Sequence, residues 1–174
     1  MAYERILVIG SPGSGKTTFS LELSKILGVG VTHLDRLFWR DNWVNVSNDE
    51  FDSQLSAVLE SDSWIIDGNY SRTLDMRLER CDTVFFLDYP AAVSLSGYFC
   101  RLLKYRGRSR ADMGGYCPER PDFEFMRYIL KFNGTHRKEL YNKLKSMRGR
   151  DVFIFHSRRE SARFLEKLKK QKSG

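Results

Sequence analysis

Residues 10–17 read GSPGSGKT, and this stretch fits the pattern G-x-x-x-x-G-K-[ST] without a gap. It follows residues 5–9 (RILVI), an almost wholly apolar run typical of a strand that is buried on both faces. A helical pattern over about residues 16–27 comes next, and glycines at 28 and 30 are suited to end it. We therefore predict a glycine-rich loop that leaves a buried strand and enters a helix.

Each residue type in this loop has a chemical reason. Its glycines let the backbone curve so that N–H groups point inward and, with the positive end of the helix, form a seat for a β-phosphate. Lys16 is suited to bridge β- and γ-phosphate oxygens, and the Thr17 hydroxyl to bind Mg²⁺. We therefore predict a site for ATP and Mg²⁺. The predicted ATP-binding residues of the loop are Gly10, Ser11, Gly13, Ser14, Gly15, Lys16, Thr17 and Thr18.

A magnesium ion at such a loop also needs a carboxylate at the end of a neighbouring strand. Asp67 follows the apolar run WII, and Asp88 follows TVFFL. We favour Asp67, because Gly68 comes next and lets the chain turn away from the site. The alternatives stay open at this point: Asp88 is the second candidate, and either residue is also suited to cap a strand end or a helix.

The segment HLDRLFW, residues 33–39, lies just past the second predicted strand. In an open α/β sheet, ligands bind outside the carboxyl ends of the strands, so Asp35 and Arg36 would face the same crevice as the loop. We predict an acceptor site in which Asp35 orients a hydroxyl or phosphate and Arg36 pairs with an anion. Trp39 and Trp43 either stack on a ring there or anchor a surface loop to the core.

Strand-length and helix-length patterns alternate along the chain, which favours a three-layer α/β fold with a five-stranded parallel sheet and helices on both faces. We predict a single domain over residues 1–174, with an acceptor-binding segment at about 35–61 and a loop rich in Gly, Arg and Pro at about 106–121. The predicted strands are 5–9, 31–34, 64–67, 83–88 and 152–155; the predicted helices are 16–27, 47–60, 90–105, 122–132, 135–147 and 157 to the basic tail.

The charge of the chain is unevenly distributed. Residues 1–99 carry a net charge of −6, whereas residues 100–174 carry +13. No apolar run approaches the ~18 residues of a membrane span, and three cysteines without a CxxC pair indicate reduced thiols. We therefore expect a cytoplasmic protein without a membrane partner. The basic half favours a polyanionic ligand, and composition alone does not distinguish a nucleotide from a nucleic acid.

Arginines are concentrated in and beside the loop at 106–121. Mobile arginines that close on a transferring phosphoryl group stabilise its negative charge and exclude water. We predict Lys16, Arg101 and Arg110 as catalytic residues together with Asp35. Arg158, after the last predicted strand, would lie beside the adenine end of the site. The arginines of this group are Arg101, Arg106, Arg108, Arg110 and Arg120.

The order and spacing of these motifs resemble the adenylate-kinase-like branch of P-loop kinases. Within it, the sequence is most similar to the bacterial "DNA topology modulation protein" (FlaR-type) family, and the resemblance covers nearly the whole chain. The segments that carry it are GSPGSGKTT, HLDRLFW, WIIDGNYSRT, TVFFLDYP, YRGRSRADM and CPER.

The resemblance implies strand order 2-3-1-4-5 and a lid at about 106–121 that closes over ATP. It places Asp67 at the magnesium position and Arg72 where an arginine contacts the phosphates of the acceptor. Two departures stand out, because Gly97 replaces an arginine that packs on adenine in the family, and HLDRLFW lacks the TGD pattern of adenylate kinases. The resemblance therefore does not imply AMP as the acceptor.

Two functions from different classes follow. The favoured one is Mg²⁺-dependent transfer of the γ-phosphoryl group of ATP to a small acceptor, by a monomer or weak dimer. The alternative, in line with the name of the similar family, is an ATP-binding protein associated with nucleic acid. Its basic half would contact phosphodiester backbones, although the sequence contains no helix-turn-helix or RNA-binding signature.

Overall fold

The computed structural model describes residues 3–132, 134, 136–147 and 149–172. Within these residues the strands are β1 (Arg5–Gly10), β2 (Val31–His33), β3 (Trp39–Arg40), β4 (Val44–Asn45), β5 (Trp64–Asp67), β6 (Thr83–Leu87) and β7 (Asp151–Phe155). The helices are α1 (Lys16–Leu27), α2 (Leu34–Phe38), α3 (Asn48–Leu59), α4 (Leu74–Arg80), α5 (Ala91–Tyr105), α6 (Phe123–Phe132), α7 (His136–Ser146) and α8 (Arg158–Lys172). Short 3₁₀ turns cover Asp41–Trp43 and Ser71–Thr73.

The main sheet of the described residues is parallel and five-stranded, in the order β2-β5-β1-β6-β7. Counted along the chain within this sheet, the order is 2-3-1-4-5, so the predicted fold and strand order are confirmed. The register pairs Val8 with Asp67 and Phe85, and Gly10 with Leu87. Loops that follow β1, β5 and β6 therefore leave the same edge of the sheet, where α/β folds bind ligands.

Two apolar cores cover the two faces of the sheet. Leu7 and Ile9 of β1 face a core that also contains residues of α3, α4 and α7, whereas Ile6 and Val8 face residues of α1 and α8. All four are fully buried. This explains the continuous apolar run in the sequence, because burial of each such side chain contributes about 1.5–3 kcal/mol on both faces of the strand.

Serine side chains cap the starts of two helices. The Ser47 hydroxyl accepts a hydrogen bond from Glu50 N–H at 3.1 Å at the start of α3. At the start of α8, Ser157 accepts from Glu160 N–H at 3.3 Å, while the Glu160 carboxylate accepts from His156 N–H at 2.8 Å. These caps satisfy backbone donors that the first helical turn leaves free.

The structure adds short elements that the sequence patterns did not predict: α2, α4 and the antiparallel pair β3 and β4. Residue 34 was predicted as strand and begins α2, and residue 88 was predicted as strand and follows β6. Helix α7 begins at His136; Thr135 of the predicted helix and residues 173–174 of the tail lie outside the described residues. No helix of the described ranges combines the length and apolarity that a bilayer span requires.

Candidate functional site: a phosphate loop, a strand-end carboxylate and an arginine-rich lid

The loop between β1 and α1 turns through left-handed backbone at two glycines. Gly13 has φ +79° and Gly15, immediately before α1, has φ +96°. Side chains at these positions would strain the backbone, so glycine is required for the turn. The resulting curve lies at the N-terminus of α1, where free N–H groups and the helix dipole favour an anion.

Lys16 curls back over this loop. Its Nζ donates to the carbonyl oxygen of Gly10 at 2.9 Å and to that of Ser11 at 3.1 Å. Burial lowers the pKa of Lys16 to about 8, although the negative charges of Asp67 and Asp35 oppose this shift. The ammonium group is thus held at the loop by hydrogen bonds to two neutral carbonyl oxygens. Hydrogen bonds to the oxygens of an anionic ligand would be stronger.

Backbone contact joins the loop to α5 and explains Gly97. A Cβ atom at Gly97 would overlap the carbonyl oxygen of Gly13, and a Cβ atom at Gly13 would overlap that of Ser94. The Arg158 guanidinium lies at the same place, with Nη2 donating to the Val93 carbonyl at 3.4 Å. Arg158 therefore lies beside the phosphate loop, and no side chain fits at position 97.

Asn69 fastens the segment after β5 to the phosphate loop, a contact that the sequence analysis missed. Its Oδ1 accepts from Gly10 N–H at 3.2 Å, and its Nδ2 donates to the Gly10 carbonyl at 2.8 Å. The side-chain amide thus pairs with both backbone groups of Gly10, as a peptide unit of an adjacent strand would. It joins Asn69 to Gly10, two residues beyond Asp67 and Val8, the last paired residues of β5 and β1.

Arg77 of α4 binds the backbone of the same segment, residues 68–70. It is fully buried, and its guanidinium donates to backbone carbonyls of Gly68 at 3.1 Å, Asn69 at 2.5 Å and Tyr70 at 2.8 Å. Burial lowers the pKa of this arginine. Tyr70 has φ +26°, an uncommon backbone conformation for a non-glycine residue, so the hydrogen bonds to Arg77 help hold a strained turn.

Asp67 is buried at the end of β5, as predicted, and is 5% exposed. Its Oδ1 lies 2.9 Å from Nδ1 of His33. Burial lowers the pKa of His33, but the hydrogen bond and charge of Asp67 outweigh it, so the net shift is upward. Asp67 Oδ2 is buried and has no hydrogen-bond partner within the described ranges. A buried carboxylate oxygen of this kind fits Mg²⁺, which prefers hard oxygen ligands.

Asp88, the alternative magnesium ligand, is engaged elsewhere. Its Oδ2 accepts from Arg137 Nη2 at 2.7 Å and from the Tyr141 hydroxyl at 2.7 Å, and His156 Nδ1 lies 3.3 Å away. The carboxylate therefore ties α7 and the end of β7 to the end of β6. Of the two candidates, Asp67 is the one with a free buried oxygen.

The two ends of the arginine-rich loop are joined by backbone hydrogen bonds. Residues 106 and 119 form an isolated bridge, with Gly107 N–H donating to the Glu119 carbonyl at 3.2 Å. Farther in, Thr17 Oγ1 donates to Asp112 Oδ2 at 3.1 Å. The sequence around Asp112 predicts no role for this residue, and its partner is 95 residues away in the chain. The predicted lid thus contacts the phosphate loop directly.

The two predicted catalytic arginines share one carboxylate. Nε of Arg101 lies 3.1 Å and Nε of Arg110 lies 2.8 Å from Oε1 of Glu119, whose side chain is 3% exposed. Arg110 also lies 2.6 Å from Asp112 Oδ2 and 3.5 Å from Asp35 Oδ2. Burial lowers the pKa of Arg110, but these three carboxylates outweigh it and raise the pKa overall, whereas burial and Arg110 lower the pKa of Arg101.

The lid also docks on the acceptor segment. Asn42 N–H donates to the Tyr116 carbonyl at 2.8 Å, and Tyr116 N–H donates to Asp41 Oδ1 at 2.6 Å. The indole N–H of Trp43 donates to the Pro118 carbonyl at 3.2 Å. Trp43 therefore joins residues 41–43 to the arginine-rich loop, a contact that differs from both of the predicted roles, stacking on a ring and anchoring to the core.

Asp35, Arg36 and Arg72, the residues predicted to bind an acceptor, occupy different surroundings. The Tyr70 hydroxyl donates to Asp35 Oδ1 at 2.9 Å. Arg36 is exposed, and Arg72 is bound to Asp52 by two hydrogen bonds of 2.7 Å. Arg72 lines a cavity of about 280 Å³ together with aromatic side chains, among them Tyr70, which bonds Asp35. The lining residues are Phe38, Asn48, Phe51, Tyr70, Ser71, Arg72 and Thr73.

Comparison with known proteins places the chain by fold. No protein-family model and no curated relative matches the sequence. Among solved structures, it is similar to the shikimate kinase of Bacteroides thetaiotaomicron, with a TM-score of 0.56 and 18% identity over 99% of this chain and 100% of that one. It is also similar to a shikimate kinase of Acinetobacter baumannii in complex with shikimate, with a TM-score of 0.58 and 16% identity over 99% of this chain and 97% of that one. The chain thus has the P-loop fold of these kinases.

Proposed function

We propose that this protein is a P-loop kinase that transfers the γ-phosphoryl group of ATP to a small acceptor with the help of Mg²⁺. The carrying observation is the contact of Arg110, a buried lid arginine, with Asp35 of the acceptor segment at 3.5 Å. Lys16 of the phosphate loop experiences the charges of both residues. Three elements that are distant in sequence thus bring one lysine, one arginine and one carboxylate to the same place.

In the proposed reaction, a hydroxyl or phosphate oxygen of the acceptor attacks the γ-phosphorus, and the bond from that phosphorus to the bridging oxygen of ADP breaks. An attacking hydroxyl gives its proton to the Asp35 carboxylate. Lys16, Arg101 and Arg110 stabilise the negative charge on the transferring group. Asp35 orients the acceptor through Oδ2, since Oδ1 accepts the Tyr70 hydroxyl. No covalent intermediate with the protein is required, because positioning and electrostatics supply the catalysis.

Thr17 and Asp67 are the proposed ligands of the magnesium ion, which would neutralise phosphate charge when bound. The free oxygen of Asp67 supports this assignment. His33 holds the other oxygen and so orients the carboxylate. The adenine end of ATP is assigned to the surface beside Arg158, next to the place where Gly97 of α5 contacts the phosphate loop.

Arg36 and Arg72 are proposed to contact anionic groups of the acceptor. Arg72 lies half-exposed above the Phe51 ring, 6.0 Å from its centroid, at the rim of the aromatic cavity. Release from Asp52 would free its guanidinium, and an exposed ion pair of this kind contributes little to stability because water screens it. We further propose kinship with the FlaR-type family and a cytoplasmic location, in keeping with the sequence motifs.

A screen with labelled ATP tests the proposal. The acceptors are nucleoside monophosphates, nucleosides, sugar acids and shikimate, the last because a similar structure is a complex with it. We expect label transfer to one acceptor class and its loss in Lys16→Ala, with the circular dichroism spectrum unchanged. If no acceptor is labelled while duplex DNA binds with affinity that falls steeply with salt, the alternative function in nucleic-acid association replaces the kinase.

A further inference from the structure

Asp112, a lid residue without a part in the mechanism above, contacts the phosphate loop at the residue assigned to the metal. Its Oδ2 accepts the Thr17 hydroxyl at 3.1 Å and Arg110 Nη1 at 2.6 Å. Asp112 is only 8% exposed. Burying a carboxylate costs free energy unless it is paired with a positive charge, and Arg110 supplies that charge to Asp112. The Thr17–Asp112 hydrogen bond is therefore part of a buried, charge-balanced cluster.

The Thr17–Asp112 pair is chemically suited to a magnesium ion. A hydroxyl that donates its proton to a carboxylate keeps its oxygen lone pairs for other partners. Hydroxyl and carboxylate oxygens are hard ligands, and Mg²⁺ at phosphate sites is held by one or two carboxylates with phosphate oxygens and water. Thr17 and Asp112 therefore offer two suitable oxygens side by side.

Asp67 and Asp112 lie at the same end of the sheet. Both carboxylates act on the imidazole of His33, Asp67 through a hydrogen bond of 2.9 Å and Asp112 through its charge. Asp67 comes from β5 of the rigid sheet, whereas Asp112 comes from the lid. A metal bound between these elements would therefore contact a fixed carboxylate and a carboxylate that arrives with the lid.

We propose that Asp112 is a lid residue of the magnesium site, which with Thr17 binds the ion or one of its water ligands. The site is complete only when the lid is docked as in this structure. This inference rests on the proposed function, since it assumes a magnesium nucleotide at the loop. Metal binding and lid docking then favour each other by the same free energy, because coupling between two binding events is reciprocal.

The test measures metal affinity and not turnover. Mn²⁺, as the probe, is titrated into the full-length protein saturated with ADP, and free Mn²⁺ is followed by electron paramagnetic resonance. We expect Asp112→Asn to weaken Mn²⁺ binding about 10–100-fold, the range for loss of a carboxylate that holds or orients a metal ligand. Asp112→Glu, which keeps the charge, restores most of the affinity.

The matched control is Asp122→Asn, which removes the same charge just after the lid and keeps a side chain able to accept the Phe125 N–H. It is expected to bind Mn²⁺ like the unaltered protein. Circular dichroism verifies folding, and Asp112→Ser replaces Asp112→Asn if the latter is unfolded. Wild-type Mn²⁺ affinity in a folded Asp112 variant overturns this inference alone. Failure of the unaltered protein to bind ADP in EDTA instead contradicts the kinase proposal.

Discussion

Under the proposed function, Lys16 would link the pH of the solution to the affinity of the phosphate loop for a nucleotide. Burial places the pKa of Lys16 near 8 in the unliganded protein. Phosphate oxygens beside the ammonium group would raise this pKa, because a nearby opposite charge favours the charged form. Below pH 8 the lysine already carries its proton, whereas above pH 8 binding requires proton uptake.

We therefore expect the affinity for ADP in EDTA to be level from about pH 7 to 8 and to fall up to about tenfold per pH unit above that. Isothermal titration calorimetry measures it, and buffers of different ionisation enthalpy report the proton uptake. Lys16→Arg serves as the control, since a guanidinium stays charged and removes the pH dependence. A level affinity of the unaltered protein up to about pH 9.5 would contradict the proposed lysine–phosphate contact.

A second residue-scale prediction concerns Arg77. Arg77→Met fills a similar volume but leaves the buried carbonyls that the guanidinium satisfies without a partner, so we expect the free energy of unfolding to fall by about 3 kcal/mol or more. Urea unfolding followed by circular dichroism gives the value. Arg80→Met, at an exposed position of the same helix, is the control and is expected to change stability by less than about 0.5 kcal/mol. Equal effects of the two substitutions would argue against a special role for Arg77.

At the scale of elements, α5 and the phosphate loop pack backbone against backbone. The contact requires glycine at 97, because any Cβ there would overlap the Gly13 carbonyl oxygen. We expect Gly97→Ala to reduce stability by about 1–3 kcal/mol, the usual cost of overpacking, and to weaken ADP binding because the loop must shift.

Gly30→Ala is the control for this substitution, since a Cβ atom at Gly30 meets no atom within 4 Å. It is expected to leave both quantities near those of the unaltered protein. The measurements are urea unfolding and calorimetric titration with ADP in EDTA. Unchanged ADP affinity in Gly97→Ala would show that the loop does not depend on its contact with α5.

Among the structural elements, the strands of the main sheet could be predicted from the sequence, whereas several loop contacts could not. The sheet and its order followed from apolar runs and from a family resemblance, because β1, β5 and β6 are buried on both faces and carry their signal locally. Asn69 and Asp112 could not be found in this way. Their partners, Gly10 and Thr17, are 59 and 95 residues distant, and a polar residue in a loop has no periodic pattern that reveals such a partner. Helix α2 was missed because five residues are too few to show a helical period.

At the scale of the whole molecule, charged residues from the acidic and the basic half of the sequence meet at the candidate site. Asp35 and Asp67 belong to the half with net charge −6, while Arg101 and Arg110 belong to the half with +13. The lid brings the two signs together, since Arg110 reaches Asp35 across the interface of lid and acceptor segment. Opposite charges on separate elements favour closure of one over the other, and the effect weakens with salt where the groups are exposed.

Closure of the lid would bring Arg110 to the proposed transferring phosphoryl group, so replacing Arg110 tests whether closure contributes to the reaction. Arg110→Met leaves Glu119, Asp112 and Asp35 without a shared cation and removes positive charge from the proposed transferring group. Since an arginine at this position in phosphoryl transfer is worth about 10³–10⁵ in rate, we expect turnover of ATP with the acceptor identified by the screen to fall at least about 10³-fold. Arg108→Met, at an exposed lid position, is the control and is expected to alter the rate less than about threefold. Comparable rates for the two variants, measured by release of labelled product in folded protein, would remove Arg110 from the mechanism and assign its three carboxylate contacts to lid docking alone.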